Sequence, residues 1–333
     1  MHDVEVRFLE PRDVPSLCSL LTGSFRREYE EQGLDVWSFE RQYRLVAWAN
    51  RLLTPLSLDF FQVVVAIADG EVVATMGSFP ADRHRWYQGF GAVDPACRGQ
   101  GLYKRVIRKS LEGIDRRGAR WGGGEIRVDN YGALVPYRDV FGTEVMPVRR
   151  LYLVDREQAA QGRPAGRPLS IERLSDRDWP RLPFADTLRG RFLGGFLVER
   201  ELSRGLAACL LRWLLPPITV VTWGLVEGGR VVALARVRTH WPAKILALDA
   251  VWFEDGLPRE RAAELLATVL ARVAPRAEAP VRIYAGEDET LLRSLCDELG
   301  YRAWTDVLPI RTDVARALAM TDPMGRPRPE AAP

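Results

Sequence analysis

A chain of 333 residues with a formal net charge of +3, 47% hydrophobic and 27% charged, is long enough for two domains with separate cores. Its composition is that of a soluble globular protein, and so small a charge excess does not imply a general nucleic-acid binder. Cys18, Cys97, Cys209 and Cys296 lack CxxC spacing, and His2, His84 and His240 lie far apart, so neither a disulfide framework nor a metal site is expected.

Met1-His2-Asp3 has neither a basic start nor an apolar core behind it, so no signal peptide is read and the expected location is cytoplasmic. Val4 to Leu9 reads as a strand. It leads into Arg12-Asp13-Val14-Pro15-Ser16-Leu17, with an Asp near a helix start and a Pro in the first turn. The stretch from Phe25 to Phe61 sets Glu28, Glu30, Glu31 and Asp35 among Tyr29, Trp37, Phe39, Tyr43 and Trp48. Acids among aromatics suit a cationic, partly apolar amine; the alternative is an aromatic core with solvated acids. Val63 to Ala68, Asp69-Gly70 and Val72 to Ser78 read as a tight hairpin.

An apolar, β-prone run from Gly89 to Val93 ends at Asp94-Pro95, and a turn with Gly99 and Gly101 precedes a helical pattern over about 100 to 117. Glycines at such a junction let the backbone approach a ligand, and the free amides and dipole of the helix start attract phosphate. Arg98, Lys104, Arg105, Arg108 and Lys109 surround this turn. The alternative is a structural turn beside a solvated basic helix face. GxxxxGK[ST] is absent, and GxGxxG would need glycine where Lys104 stands. Gly123 to Val128 then reads as a strand, followed by Asn130, Ala133, Tyr137 and Phe141-Gly142.

Val93-x-Pro95-x-x-Arg98-Gly99-x-Gly101-Leu102 resembles the acyl-CoA loop of the GNAT superfamily of N-acetyltransferases. Asn130-x-x-Ala133-x-x-x-Tyr137 resembles the start of that family's fourth helix. Tyr103 departs from the family's usual small residue, Phe141-Gly142 swaps its Gly-Phe, and Pro136 is tolerable only if the helix begins close to it.

The pattern occurs twice. Leu169 to Leu174 leads into Arg177-Asp178-Trp179-Pro180-Arg181-Leu182, and Thr219 to Val226, Gly228-Gly229 and Val231 to Arg238 read as a second hairpin. Cys296 aligns with Tyr137, and Gly300-Tyr301 with Phe141-Gly142. Leu206 to Leu225, near membrane length, contains Arg212 and Pro216-Pro217 and reads as a buried helix and strand. The resemblance therefore implies an α/β (α+β) fold of two tandem GNAT domains, each a mixed, mostly antiparallel sheet flanked by helices. The expected limits are 1–155 for the domain with the acyl-CoA site, 156–168 for a linker, 169–313 for a degenerate copy, and 321–333 for a disordered tail. In the second copy Glu254-Asp255-Gly256-Leu257-Pro258-Arg259 replaces the phosphate turn, and its carboxylates repel that ligand.

For the first domain the resemblance implies direct acyl transfer from acetyl-CoA to an amine of a small molecule or peptide. Backbone amides near Ala92 and Val93 would polarise the thioester, and the amides from Arg98 through Gly99, Gln100, Gly101 and Leu102 to Tyr103 would hold pyrophosphate. Lys104 and Asn130 extend that surface, and Arg105, Arg108 or Lys109 would meet outer phosphates. Tyr137 would be the general acid toward the CoA thiolate and would also touch the cofactor. The general base stays open among His84, Glu125 and Asp129. Alternatives are a non-catalytic acyl-CoA sensor or scaffold, or transfer of longer acyl groups or to sulfur. No metal, nucleic-acid or membrane partner is expected, and either a monomer or a homodimer fits.

Overall fold

In the computed structural model the described residues are 4–32, 40, 43–44, 47–48, 62–80, 84–161, 169–174, 220–240, 245–277 and 279–328. The first run of elements is β1 (Glu5–Phe8), α1 (Val14–Ser24), α2 (Arg26–Gln32), β2 (Gln62–Ala68), β3 (Glu71–Pro80) and β4 (Arg85–Val93). It continues through α3 (Leu102–Asp115), β5 (Trp121–Arg127), α4 (Tyr131–Val135), β6 (Glu144–Val145), β7 (Arg149–Val154) and α5 (Arg156–Gln161). The second run is β8 (Ile171–Leu174), β9 (Val220–Glu227), β10 (Arg230–His240), β11 (Ile245–Phe253), α6 (Arg259–Val273), β12 (Val281–Gly286), α7 (Thr290–Glu298), β13 (Arg302–Asp313) and α8 (Val314–Met320). The Arg177 to Leu182 half of the repeat, Cys209, Pro216-Pro217, Asp35, Trp37 and Phe39 lie outside the described residues.

The described residues divide into two compact units, 4–146 with 308–328, and 147–307. In the first, β1 to β4 run antiparallel in chain order. The β2–β3 hairpin turns on Asp69 and Gly70, both at positive φ, as a two-residue turn between twisted strands requires. β5 joins β4 in parallel, and the 308–313 half of β13 follows, with β6 paired to it. α3 turns Leu102, Val106, Ile107, Leu111 and Ile114 onto the sheet, a stripe at helical spacing. α8 packs beside α3, and the buried Arg108 guanidinium donates to Leu318 C=O and Thr321 Oγ1.

The second unit repeats the plan: β8 to β11 antiparallel, β11 parallel to β12, α6 after β11 and α7 after β12. Gly228 and Gly229 make its hairpin turn. β7 and the 302–307 half of β13 complete its sheet.

The division differs from the expected limits in three places. β7 falls in the second unit, because it pairs with β12 from Val281↔Val154 to Gly286↔Arg149. Residues 308–313, expected in the degenerate copy, fall in the first, and α8 with them. Residues 156–161, expected in a linker, form α5, whose Ala159 is buried in the second core. The expected tail is ordered over Thr321–Arg328: Arg328 N–H donates to Met320 C=O, Asp322 and Arg326 are bonded to each other, and Thr321 is fully buried. Its Pro and Gly content suggested disorder, but these turns close on α8. Among the described residues no helix is long and apolar enough to cross a membrane.

Candidate active site

β4 and β5 are bonded only over Arg85–Tyr87 and Trp121–Gly123, and beyond that they part. The parting opens a cleft of about 890 Å³, lined by β4 from Gln88 to Val93, the turn before α3, the end of β5 and the start of α4. On its other edge β4 pairs with β3, but the register slips: Thr75 faces Ala92 whereas Gly77 faces Gly89. The extra residue makes a β-bulge at Phe90–Gly91, and Phe90 takes φ +57°, a left-handed conformation that costs about 1–3 kcal/mol. Beyond the bulge, Asp94 N–H donates to Val73 C=O at 2.8 Å. Antiparallel rungs alternate, so the Ala92 amide falls on the β3 side and the Val93 amide faces the cleft. This corrects the expectation for Ala92, which lines the cleft without aiming its N–H into it.

Gly99 and Gly101 adopt φ +78° and +75°, conformations a side chain resists, and a Cβ at either would meet nothing within 4 Å. Asp94 closes the preceding turn, its Oδ1 accepting from Ala96 N–H at 2.8 Å. The ladder of α3 begins with Arg105 N–H to Gly101 C=O, so the amides of Leu102, Tyr103 and Lys104 precede it. Open space, glycine conformations and leading amides fit a pyrophosphate group. Arg98, Gly99, Gly101, Leu102, Tyr103 and Lys104 line the cleft; Gln100 does not. The other cations are occupied: Arg105 donates to Val4 C=O, Arg108 is buried against α8, and Lys109 lies 3.6 Å from Glu112. Arg98 and Lys104 are the cleft's cations from the expected set.

Tyr137 lies just beyond α4, where Pro136–Val140 widens into a π turn. Pro136 has no N–H for the α ladder, and Phe141 N–H reaches its carbonyl instead. Tyr137 is 2% exposed and donates to Gln88 Oε1 at 3.2 Å. Gln88 Nε2 donates to Ser110 Oγ at 3.0 Å, and Ser110 shares a hydrogen bond with Ser78. A buried polar chain thus runs behind the cleft. Burial, with the nearby Tyr103 and Tyr87 hydroxyls, pushes the Tyr137 pKa well up. Asn130 lines the cleft and caps α4 through Oδ1 to Ala133 N–H at 3.2 Å.

Glu125 lines the cleft from β5. Asp129 and Glu28 also line it, both paired to Arg127, at 2.7 and 3.1 Å; the Arg127 hydrogen bond holds the Asp129 carboxyl below its ordinary range. His84 is not brought in: it is exposed, with Nδ1 3.5 Å from Gly118 C=O, and lies outside the lining. Met76, Gln88, Gly91 and the exposed Tyr131 are lining residues that the sequence reading missed. The glycines at 89 and 91 inside a strand were the available signal for the bulge.

The family model described as the acetyltransferase (GNAT) family matches residues 16–139. No curated protein matches in sequence. Among solved structures, a GCN5-related N-acetyltransferase from Sphaerobacter thermophilus is 18% identical, with a TM-score of 0.57 over 93% of this chain and 96% of that one. A tandem GNAT protein from the clavulanic acid biosynthesis pathway is 12% identical, with a TM-score of 0.54 over 94% and 99%. At these identities the likeness is one of fold, and it extends over both units.

Proposed function

From the premise that the chain belongs to the GNAT superfamily through its domain at residues 16–139, we propose that it transfers an acetyl group from acetyl-CoA to a primary amine of a small molecule or peptide. The observation that carries this reading is the bulged β4 edge, the glycine turn and Tyr137 on one cleft. Bound acetyl-CoA supplies the acyl group: the amine nitrogen bonds to the thioester carbon, the C–S bond breaks, the sulfur gains a proton and the nitrogen loses one.

Each step has a candidate residue. The Val93 amide polarises the carbonyl, and such fixed donors at a developing oxyanion are commonly the largest catalytic contribution. The amides of Leu102 to Lys104, with Arg98 and Lys104, hold the pyrophosphate. Tyr137 gives its proton to sulfur, its hydroxyl turning from Gln88. Glu125, a cleft carboxylate without an ion-pair partner among the described residues, takes the amine's proton. Glu28, Asp129 and Tyr131 at the same cleft favour a cationic, partly apolar acceptor. Free Cys18, Cys97 and Cys296 suit a reducing compartment, in keeping with a cytoplasmic location.

Calorimetry with acetyl-CoA tests the reading, on the native chain and on Gly101→Glu. One site per chain, lost in the variant, is the expected result, followed by thiol release with members of an amine panel. Absence of binding, or binding indifferent to Gly101→Glu, removes the proposal.

A further inference from the structure

The residue that departs from the family pattern on α3 has a place in the cleft. Tyr103 folds back from the first turn of α3 over β4. A Cβ built at Gly91 would lie 2.6 Å from the Tyr103 hydroxyl oxygen, 2.9 Å from its ring and 2.8 Å from the Met76 methyl. The hydroxyl therefore rests against the bulge, at a residue whose lack of a side chain makes room for it. Its ring meets the Tyr137 ring edge-on, with centroids 6.3 Å apart at 81°. Among the described residues the Tyr103 hydroxyl has no hydrogen-bond partner, although the ring is partly buried and lines the cleft. The hydroxyl is not among the fully buried unpartnered polar atoms of the described residues, so it keeps access to the cleft, where an acceptor on a ligand can take its proton. The neighbouring Tyr137 contrasts with it, since its proton is directed to Gln88. Burial pushes the Tyr103 pKa up, so it remains a donor across the neutral range.

We propose that Tyr103 is a catalytic residue whose hydroxyl donates to the thioester carbonyl oxygen of bound acetyl-CoA, beside the backbone amide of the β4 bulge. This rests on the acetyltransferase reading. It gives the oxyanion a side-chain donor in addition to the backbone, and it accounts for a large residue at a position where a small one would pack more simply. The pyrophosphate contact at Tyr103 is made by its amide and is unaffected by removing the hydroxyl.

The test is Tyr103→Phe, read by infrared spectroscopy of isotope-labelled acetyl-CoA bound to the full chain. Loss of the donor is expected to move the thioester carbonyl band to higher frequency. It is expected to lower kcat roughly a hundredfold, with acetyl-CoA affinity within a factor of about two. Gly91→Ala is the second variant: its new methyl would displace the hydroxyl, and it should move the band in the same direction while Tyr103 is intact. In the Tyr103→Phe background it should move the band little further. Binding with an unshifted band and unchanged kcat in Tyr103→Phe overturns this proposal alone. If the native chain does not bind acetyl-CoA, the acetyltransferase reading falls and this one with it.

Discussion

Tyr137, the proposed proton donor, lines the cleft, yet it is held by Gln88 and almost closed from water. Tyr137→Phe keeps the ring against Phe141 and Tyr103 and removes the hydroxyl, with its proton and its hydrogen bond to Gln88. The expected outcome is a kcat lowered about 10²–10⁴-fold in steady-state assays, with acetyl-CoA affinity by calorimetry little changed. Its pH behaviour follows from burial. Tyr29, Tyr43, Tyr103, Tyr137 and Tyr301 all have pKa values raised first by burial. In the unfolded chain tyrosines release protons near pH 10, while the folded chain retains these until higher pH. Above that point the unfolded state binds fewer protons, so stability falls as pH rises. Denaturant midpoints should be flat through neutrality and drop as the pH passes about 10. At this scale the sequence was informative wherever chemistry sits in a contiguous motif. Arg98, Gly99, Gly101 and Tyr137 were legible because a turn and a helix position their own residues. Gln88 and Met76 were not, since nothing local says which face of β4 or β3 meets Tyr137. His84 was misleading for the same reason: its nearness in sequence to β4 says nothing of which end of the strand holds the cleft.

At the scale of elements, the cleft depends on β4 and β5 being bonded at one end and parted at the other. The glycines of β5 set that junction. A Cβ at Gly124 would collide with the Gln88 carbonyl oxygen, and one at Gly123 would lie 2.7 Å from that of Ile310. These are backbone atoms, which cannot step aside as a side chain does. At Gly122 the nearest atoms are side-chain ends at 3.4 and 3.5 Å, an ordinary contact. Gly124→Ala should therefore destabilise the protein by about 1–3 kcal/mol, whereas Gly122→Ala should cost much less. Thermal or denaturant unfolding of the two variants checks the contrast. The strand Gly123 to Val128 was legible in outline, and its glycines hinted at close approach. Which neighbour approaches could not be read, because Ile310 lies far away in sequence. The hairpins at Asp69-Gly70 and Gly228-Gly229 were legible in full, since two residues at positive φ decide them locally.

At the scale of the whole molecule, the two units repeat one plan with different contents. The second also carries a bulge, where Arg236 faces Ala250 and Val237 faces Leu248. The unmatched residue is Asp249, which burial alone would push toward its neutral form. Bidentate pairing with Arg236 at 2.8 Å, and Arg238 at 3.3 Å, instead hold its carboxyl below the ordinary range. Cys296, at the position of Tyr137, is buried with its thiol pushed up to about 12. These contents differ from those of the first unit's cleft, and the proposal of one acetyl-CoA per chain rests on that difference. The repeat was legible from paired motifs, but its limits were not, because strand partnership is decided by pairing register and not by order along the chain. β13 and α8 make this concrete: Ile310 and Val314 belong to the core under the first unit's sheet. A fragment of residues 1–155 lacks both, along with the partner of Arg108, and should bind no acetyl-CoA in calorimetry even where it remains in solution.

The placement of that half-strand also governs when the cleft can be completed during synthesis of the chain. The glycine turn and Tyr137 are made before any of the second unit's β8 to β12, yet the strand beside β5 is encoded after almost all of the second unit. The nascent first unit must wait with an open β5 edge, and a premature stop anywhere before residue 308 leaves it unfinished. Translation through the second unit thus acts as a completeness check: every chain that acquires a finished cleft has already been through the segment encoding that unit.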